Sequence, residues 1–383
     1  MNYKSNFFTR LLQKKVENTF LKGKIVIIYG ARQVGKTSLC KEILRKYPQN
    51  SKYIDCELLQ NKTALETTNA KKLKDFLGNN KLVVLDEAQK IKDIVSVLNL
   101  IAHTYPEIQI IATGSSSFEL ANKTSESLTG RVRRYLLYPL SVEELSQKFS
   151  PLDLDAKLES ILCFGTYPCV FGGSIEESIE KLSAIASNYL YKDVFQFSGI
   201  RKPDLLAGLL NVIALQLGNE VSIAELADLL NQNSHTIESY LNLLEQCFIV
   251  FKIKSFSRNL KGEIGKKYKI YFNDLGIRNS LIQNFNPLEI RNDSSALWEN
   301  FCFLERIKYN HNNRIFANYY FWRTYSRQEI DYIEERNTKL YAFEFKWGKG
   351  KKKVCKEFLD TYQNSEFKVI NRDNYRDFVY TPT

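Results

Sequence analysis

Short apolar runs alternate with amphipathic stretches along the chain, and their lengths separate strand from helix. Phe7, Phe8, Leu11, Leu12 and Val16 recur at helical spacing, so residues 1–20 are expected to form an amphipathic helix. Lys24–Tyr29 (KIVIIY) is short, apolar and ends at a glycine, as a strand buried on both faces would. The same pattern predicts a helix over Thr37–Tyr47, a strand at Lys52–Cys56, a helix over Ala70–Leu77 and a strand at Leu82–Leu85. A helix over Ile94–Thr104, a strand at Gln109–Ala112 and a fifth strand at Arg134–Tyr138 follow. Apolar runs this short, separated by helices, indicate a parallel sheet, so residues 1–150 read as an α/β domain.

Beyond that point the pattern changes twice. From about Asp153 to Leu217 it is helical, interrupted by Gly165, Tyr167, Pro168, Gly172 and Gly173. Residues 151–218 are therefore expected to be a helical segment. Residues 219–285 read as a second unit, two short helices followed by a basic hairpin. Residues 286–383 read as a further α/β domain: a helix near Trp298, three alternating strands, a lysine-rich loop, a helix and a last strand.

Bulk properties narrow the class. With 383 residues, 44% hydrophobic and 25% charged, the chain suits two or three globular domains. No apolar run reaches the roughly eighteen residues of a membrane helix, so no membrane partner is expected. The first twenty residues lack the apolar stretch of a signal peptide. The seven cysteines are scattered, odd in number and without a CxxC pair, which points to a reducing, cytoplasmic setting. A net charge of +11 suggests a polyanionic partner, nucleic acid first, or simply a solvated lysine-rich surface.

One motif carries chemistry directly. Gly30-Ala31-Arg32-Gln33-Val34-Gly35-Lys36-Thr37 matches GxxxxGK[ST] between a strand and a helix, the context a P-loop requires. Glycines let the backbone curl so that successive N–H groups point at phosphates, and the helix N-terminus adds a favourable field. These eight residues and Ser38 are the expected nucleotide contacts. Lys36 should reach the β- and γ-phosphates of ATP, and Thr37 should ligate Mg²⁺. Asp86, ending the strand LVVL, is placed to hold the magnesium shell, and Glu87 to polarise the attacking water. A helix-capping role for these acids is the alternative. Thr113 and Ser115 end a neighbouring strand; Ser115 is the expected γ-phosphate sensor, a Ser/Thr turn the alternative.

The segments GARQVGKT, LVVLDEAQ, ATGSS and LTGRVRRYLLYPLSVEEL, with Phe164-Gly-Thr-Tyr-Pro168 and Tyr191-Lys-Asp193, resemble AAA-type ATPases of bacteria and archaea that carry an uncharacterised C-terminal region. The resemblance implies a P-loop NTPase parallel-sheet core with an inserted strand. It further implies a helical and winged-helix segment and a C-terminal endonuclease-like α/β domain. Arg131 matches the position of an arginine that can stabilise transition-state charge; a basic surface strand is the other reading.

Two C-terminal features remain. Ser222-Ile-Ala-Glu225 is a capping box opening a short helix, and Ser234–Gln246 carries an apolar stripe, together a helix-turn-helix outline. The hairpin after it holds Lys252, Lys254, Arg258, Lys261, Lys266, Lys267 and Lys269 against Glu263, and is expected either to contact DNA phosphates or to pack on the ATPase core. His235, Ser239 and Asn242 are the candidate DNA contacts. Farther on, Asp331, Glu344 and Lys346 fit the D…ExK arrangement of restriction-endonuclease-like nucleases. The two acids would bind a divalent ion, the lysine would act on the water, and Glu299 could add an acid. A salt-bridged sheet edge is the alternative. The expected function is a magnesium-dependent ATPase acting on DNA through a nuclease-like tail, or an ATP-dependent switch for a protein partner or a second copy.

Overall fold

A computed structural model describes residues 8–20, 24–114, 130–196, 202–257, 267–324, 328–348 and 355–380, with backbone alone for 188–196. The chain divides into two compact units, Met1–Pro139 with Gln246–Phe248, and Leu140–Glu245 with Ile249–Thr383.

The first unit is built on five strands: β1 (Ile25–Tyr29), β2 (Ser51–Asp55), β3 (Leu82–Asp86), β4 (Gln109–Gly114) and β5 (Val132–Leu136). Their order is β2-β3-β4-β1-β5, all parallel, so the P-loop strand lies between β4 and β5 and the inserted strand β2 forms an edge. Val26, Ile27 and Ile28 are inaccessible to solvent, as are Val83, Val84 and Leu85. Burying each such side chain stabilises the fold by about 1.5–3 kcal/mol. One face of the sheet packs against the helices Ala70–Leu77 and Ile94–Thr104 through Leu73, Leu77, Leu98 and Ile101. Asn69 caps the first of these helices by accepting from the Lys72 amide, and Asp93 caps the second from Ser96.

Three expectations shift. The fifth strand begins at Val132, two residues before Arg134. The N-terminal helix is confined, among described residues, to Leu11–Glu17. A helix at Leu59–Leu65 has no sequence counterpart, because Leu65 is its one buried residue and leaves no stripe to read.

The second unit carries a mixed sheet of β6 (Glu220–Val221), β7 (Val250–Ser255), β8 (Tyr268–Phe272), β9 (Asn318–Arg323), β10 (Glu329–Arg336), β11 (Lys339–Phe345) and β12 (Ser365–Ile370). Its order is β12-β11-β10-β9-β7-β8-β6. A short parallel pairing, Lys254↔Tyr320 and Ser255↔Phe321, joins the hairpin strands to the C-terminal strands in one sheet. The helices Ile223–Leu229 and Ser234–Gln246 fall where the sequence places them. A last helix, Tyr375–Val379, was not foreseen.

The helix Ser294–Asn312 is buried along most of its length, and its charged residues are paired. Glu305 accepts from the Val142 amide at 2.7 Å and from Lys308 Nζ at 2.7 Å. Arg306 grips Glu334 through two nitrogens at 2.7 and 3.1 Å. Such pairing offsets the desolvation that would otherwise make buried charge prohibitive. Just before the helix, Asp293 is bridged by Arg278 and by Arg291, the latter at 2.8 Å.

Burial pushes the Asp293 carboxyl up, but hydrogen bonds from Arg291 and Arg278 and their charges outweigh it and hold it at about 2. A depressed carboxyl stabilises the fold above its unfolded value near 3.9 and loses that contribution as pH falls towards 2. Asp293→Asn is therefore expected to cost about 2 kcal/mol at pH 7 in urea unfolding. The deficit should shrink between pH 4 and pH 2. A deficit independent of pH over that range would contradict the ion-pair account.

Candidate functional site: a phosphate cradle and a carboxylate cluster

The loop after β1 turns back on itself through three residues of positive φ: Gly30 at 148°, Gln33 at 59° and Gly35 at 98°. A Cβ on Gly30 would sit 2.2 Å from the Leu137 carbonyl oxygen, so only glycine fits there. Gly35 leads into the helix Lys36–Arg45, and the open amides of its first turn face the mouth of the loop. Lys36 is 5% exposed, and its Nζ donates to the Gly30 and Ala31 carbonyls at 2.9 Å each. The lysine is thereby folded over the loop, a cation held where a phosphate chain's charge would be met.

Asp86 closes the other side. Its Oδ2 accepts from Thr37 Oγ1 at 2.7 Å and from the Tyr53 hydroxyl at 2.5 Å, and its Oδ1 accepts from Thr113 Oγ1. Burial, then the Asp86 hydrogen bond, push the Tyr53 phenol far above its ordinary value, so it stays a donor. Thr113 Oγ1 in turn accepts from the Glu87 amide at 3.0 Å. Glu87 has φ 53°, an unusual backbone state for a glutamate, and its Oε2 accepts from Gln89. The residues present fit a nucleoside triphosphate with magnesium: a curled amide loop, an ammonium, a hydroxyl and a carboxylate converge on one edge of the sheet.

Sequence reasoning missed two members of this site. Arg10, 5% exposed, donates to the Val34 carbonyl of the loop and to the Tyr138 carbonyl, each at 2.6 Å. Tyr53 reaches Asp86 from the neighbouring strand. Nothing local marks Arg10, whereas a tyrosine in the strand beside LVVLD was a readable signal for Tyr53.

Of two further expected members, one lies outside the described residues and one is not brought in. Ser115 lies outside the described residues; Thr113 is the hydroxyl found at the acid. Arg131 is exposed and precedes β5, whose first pair is Ile25↔Val132. It therefore sits at the opposite end of the parallel strands from the loop, roughly 15 Å away for five residues. An arginine there does not reach a nucleotide held by its own chain.

The second unit places its acids together, but around a lysine. Tyr332 pairs with Phe343, which sets Asp331 beside Glu344 one step along, as expected. Asp331 Oδ2 accepts from the Phe345 amide at 2.8 Å, and Lys346 Nζ lies 3.0 Å from Glu344 Oε1. Lys269, expected as an exposed hairpin cation, is instead 1% exposed. Its Nζ lies 2.8 Å from Glu299 Oε1, 2.7 Å from Glu329 Oε1 and 3.7 Å from Asp331 Oδ1. Burial raises the Glu299 carboxyl against the opposing pull of Lys269. Among the described residues no three His, Cys, Asp or Glu side chains converge as a metal site. Asp331 and Glu344, the two acids expected to hold a divalent ion, thus stand together with a lysine beside each.

The other expected DNA contacts are mixed. His235, Ser239 and Asn242 are exposed, though Asn242 accepts from Lys252 at 2.5 Å. Lys252 lies 3.2 Å from Glu245, and Lys267 3.1 Å from Glu220. Arg258, Lys261, Glu263 and Lys266 lie outside the described residues. No helix among the described residues is long and apolar enough to cross a membrane.

Three stretches of the chain match family models. Residues 22–146 match the model of an AAA domain, residues 155–288 a domain of unknown function (DUF8612) and residues 294–380 another (DUF4143). An uncharacterized protein of Mycobacterium tuberculosis is 28% identical over 84% of this chain and 70% of its own length. Uncharacterized proteins of Methanocaldococcus jannaschii and Haemophilus influenzae are each 24% identical, over 95% and 99% of this chain and 81% and 92% of their own lengths. The Holliday junction branch migration motor of Thermotoga maritima aligns over 68% of this chain and 93% of its own at 15% identity, with a TM-score of 0.30, too low to bear on the reading.

The Gly30 backbone yields a direct check. Gly30→Ala forces a Cβ into the Leu137 carbonyl at a φ of 148°, and is expected to lower unfolding stability by more than about 2 kcal/mol. An unchanged urea midpoint would show that the loop relaxes freely.

Proposed function

We propose that the first unit binds ATP with magnesium and hydrolyses it. The observation that carries this reading is the convergence of the curled loop, Lys36 and Thr37 on Asp86. ATP with its ion supplies a transferable γ-phosphoryl group and a divalent charge. The chain's residues do the positioning. Loop amides 30–37 and Lys36 Nζ would bind phosphate oxygens, and Thr37 and Asp86 would hold the ion. Tyr53 and Thr113 fix the Asp86 carboxylate by their hydroxyl donations. Glu87 takes a proton from the attacking water at a carboxylate oxygen, once released from Gln89.

Of the two uses for such a cycle, switching a protein partner is favoured over DNA processing. Of the four described hairpin lysines, Lys252, Lys267 and Lys269 each face a glutamate, which leaves Lys254 as the exposed cation for a phosphate backbone. Lys254, the +11 net charge and the exposed His235 and Ser239 support the DNA reading.

Two substitutions and one titration test these statements. Lys36→Ala is expected to lose binding of a fluorescent ATP analogue. Glu87→Gln should bind it near normally while phosphate release falls roughly 100-fold or more. Equal turnover in wild type and Glu87→Gln would remove the base assignment. In a gel shift across a salt series, no shift of duplex DNA is expected at physiological ionic strength; a salt-dependent shift would restore the DNA reading.

A further inference from the structure

We propose that Lys269 is the resident cation of the Glu299–Glu329–Asp331 cluster, making it an internal ion-pair joint and not a divalent-metal centre. The three carboxylates come from the helix Ser294–Asn312 and from β10, and the ammonium comes from β8. Its Nζ lies within 2.8 Å of two of them and 3.7 Å of the third. The Tyr271 hydroxyl donates to the same Glu299 oxygen at 2.7 Å, so that acid is served twice. The remaining acid of the pattern, Glu344, has its own lysine at 3.0 Å.

A hard divalent ion needs about six oxygens arranged around one point at roughly 2.0–2.6 Å. Here the point is taken by an ammonium, and an ion entering beside it would meet like charge in a poorly screened interior. Lys269 sits on β8, an inner strand paired through Ile253 on β7 and Glu220 on β6, and it is 1% exposed, so displacing its ammonium means separating it from three carboxylates. The joint instead fastens the hairpin to the C-terminal helix and sheet. It uses acids whose pattern otherwise suits phosphodiester cleavage. On this account the second unit has no metal-dependent nuclease activity, and it would hold for the chain whether or not the first unit turns over ATP.

The test is Mn²⁺ binding to the nucleotide-free full chain, followed by electron paramagnetic resonance. The variants are Asp331→Asn, Glu344→Gln, Lys269→Met and the double change Lys269→Met with Asp331→Asn. Wild type, Asp331→Asn and Glu344→Gln are expected to take up Mn²⁺ identically. Lys269→Met should gain one equivalent, and the double variant should lose it again. One equivalent bound by wild type and lost in Asp331→Asn or Glu344→Gln would overturn the proposal. So would a folded Lys269→Met that gains none. If Lys269→Met does not fold, the comparison of wild type with the two acid variants decides alone. Because nucleotide is absent throughout, failure here is distinct from failure of the ATPase reading.

Discussion

The carboxylate of Asp86 is the point on which the first unit's site depends. It accepts hydroxyl donation from Thr37 on the P-loop helix, Tyr53 on β2 and Thr113 on β4. A carboxylate at 4% exposure is tolerable only with such partners. The same bonds tie side chains from β2, β4 and the P-loop helix to one carboxylate. Thr113 passes the constraint on to the Glu87 amide, and so helps hold a backbone turn that glutamate rarely adopts. The inserted strand β2 thus does more than widen the sheet, since it delivers the Tyr53 hydroxyl.

Much of the chain was legible where its signals are local. The helices Ala70–Leu77, Ile94–Thr104 and Ser234–Gln246 have the bounds that periodicity predicted. In the first two a capping residue stands where the stripe begins. The P-loop motif located the cradle for the same reason: its geometry is written in adjacent residues. What escaped was set by partners far away in the chain. Arg10 reads as one more polar residue before an amphipathic stripe; its worth lies in carbonyls 24 and 128 residues on. Lys269 looks like its basic neighbours, and what sets it apart is that β8 lies inside the sheet and faces it to Glu299 and Glu329, 30 and 60 residues on. Arg131 was chosen by resemblance to a pattern, and its position before the strand Val132–Leu136 sets it at the end of the parallel strands away from the loop.

The second unit shows a different economy. Its central helix buries Glu305, Arg306 and Lys308 beside Trp298, Phe301 and Phe303. Paired buried ions seldom add net stability over apolar packing, yet removing one partner is strongly destabilising. The pairs Arg306–Glu334 and Lys308–Glu305 therefore fix which neighbours the helix accepts more than how tightly it is held. The same helix packs against β8 and β11 in the sheet where β7 runs parallel to β9.

Arg10 has a mechanical consequence. Its guanidinium hangs the Val34 carbonyl, in the middle of the P-loop, from the segment that opens the helix Leu11–Glu17. A hydrogen bond of 2.6 Å to a loop already bent through positive φ leaves little slack. A pull on residues 8–20 would reach the P-loop backbone through this bond. The N-terminal segment is, in effect, a handle on the nucleotide pocket.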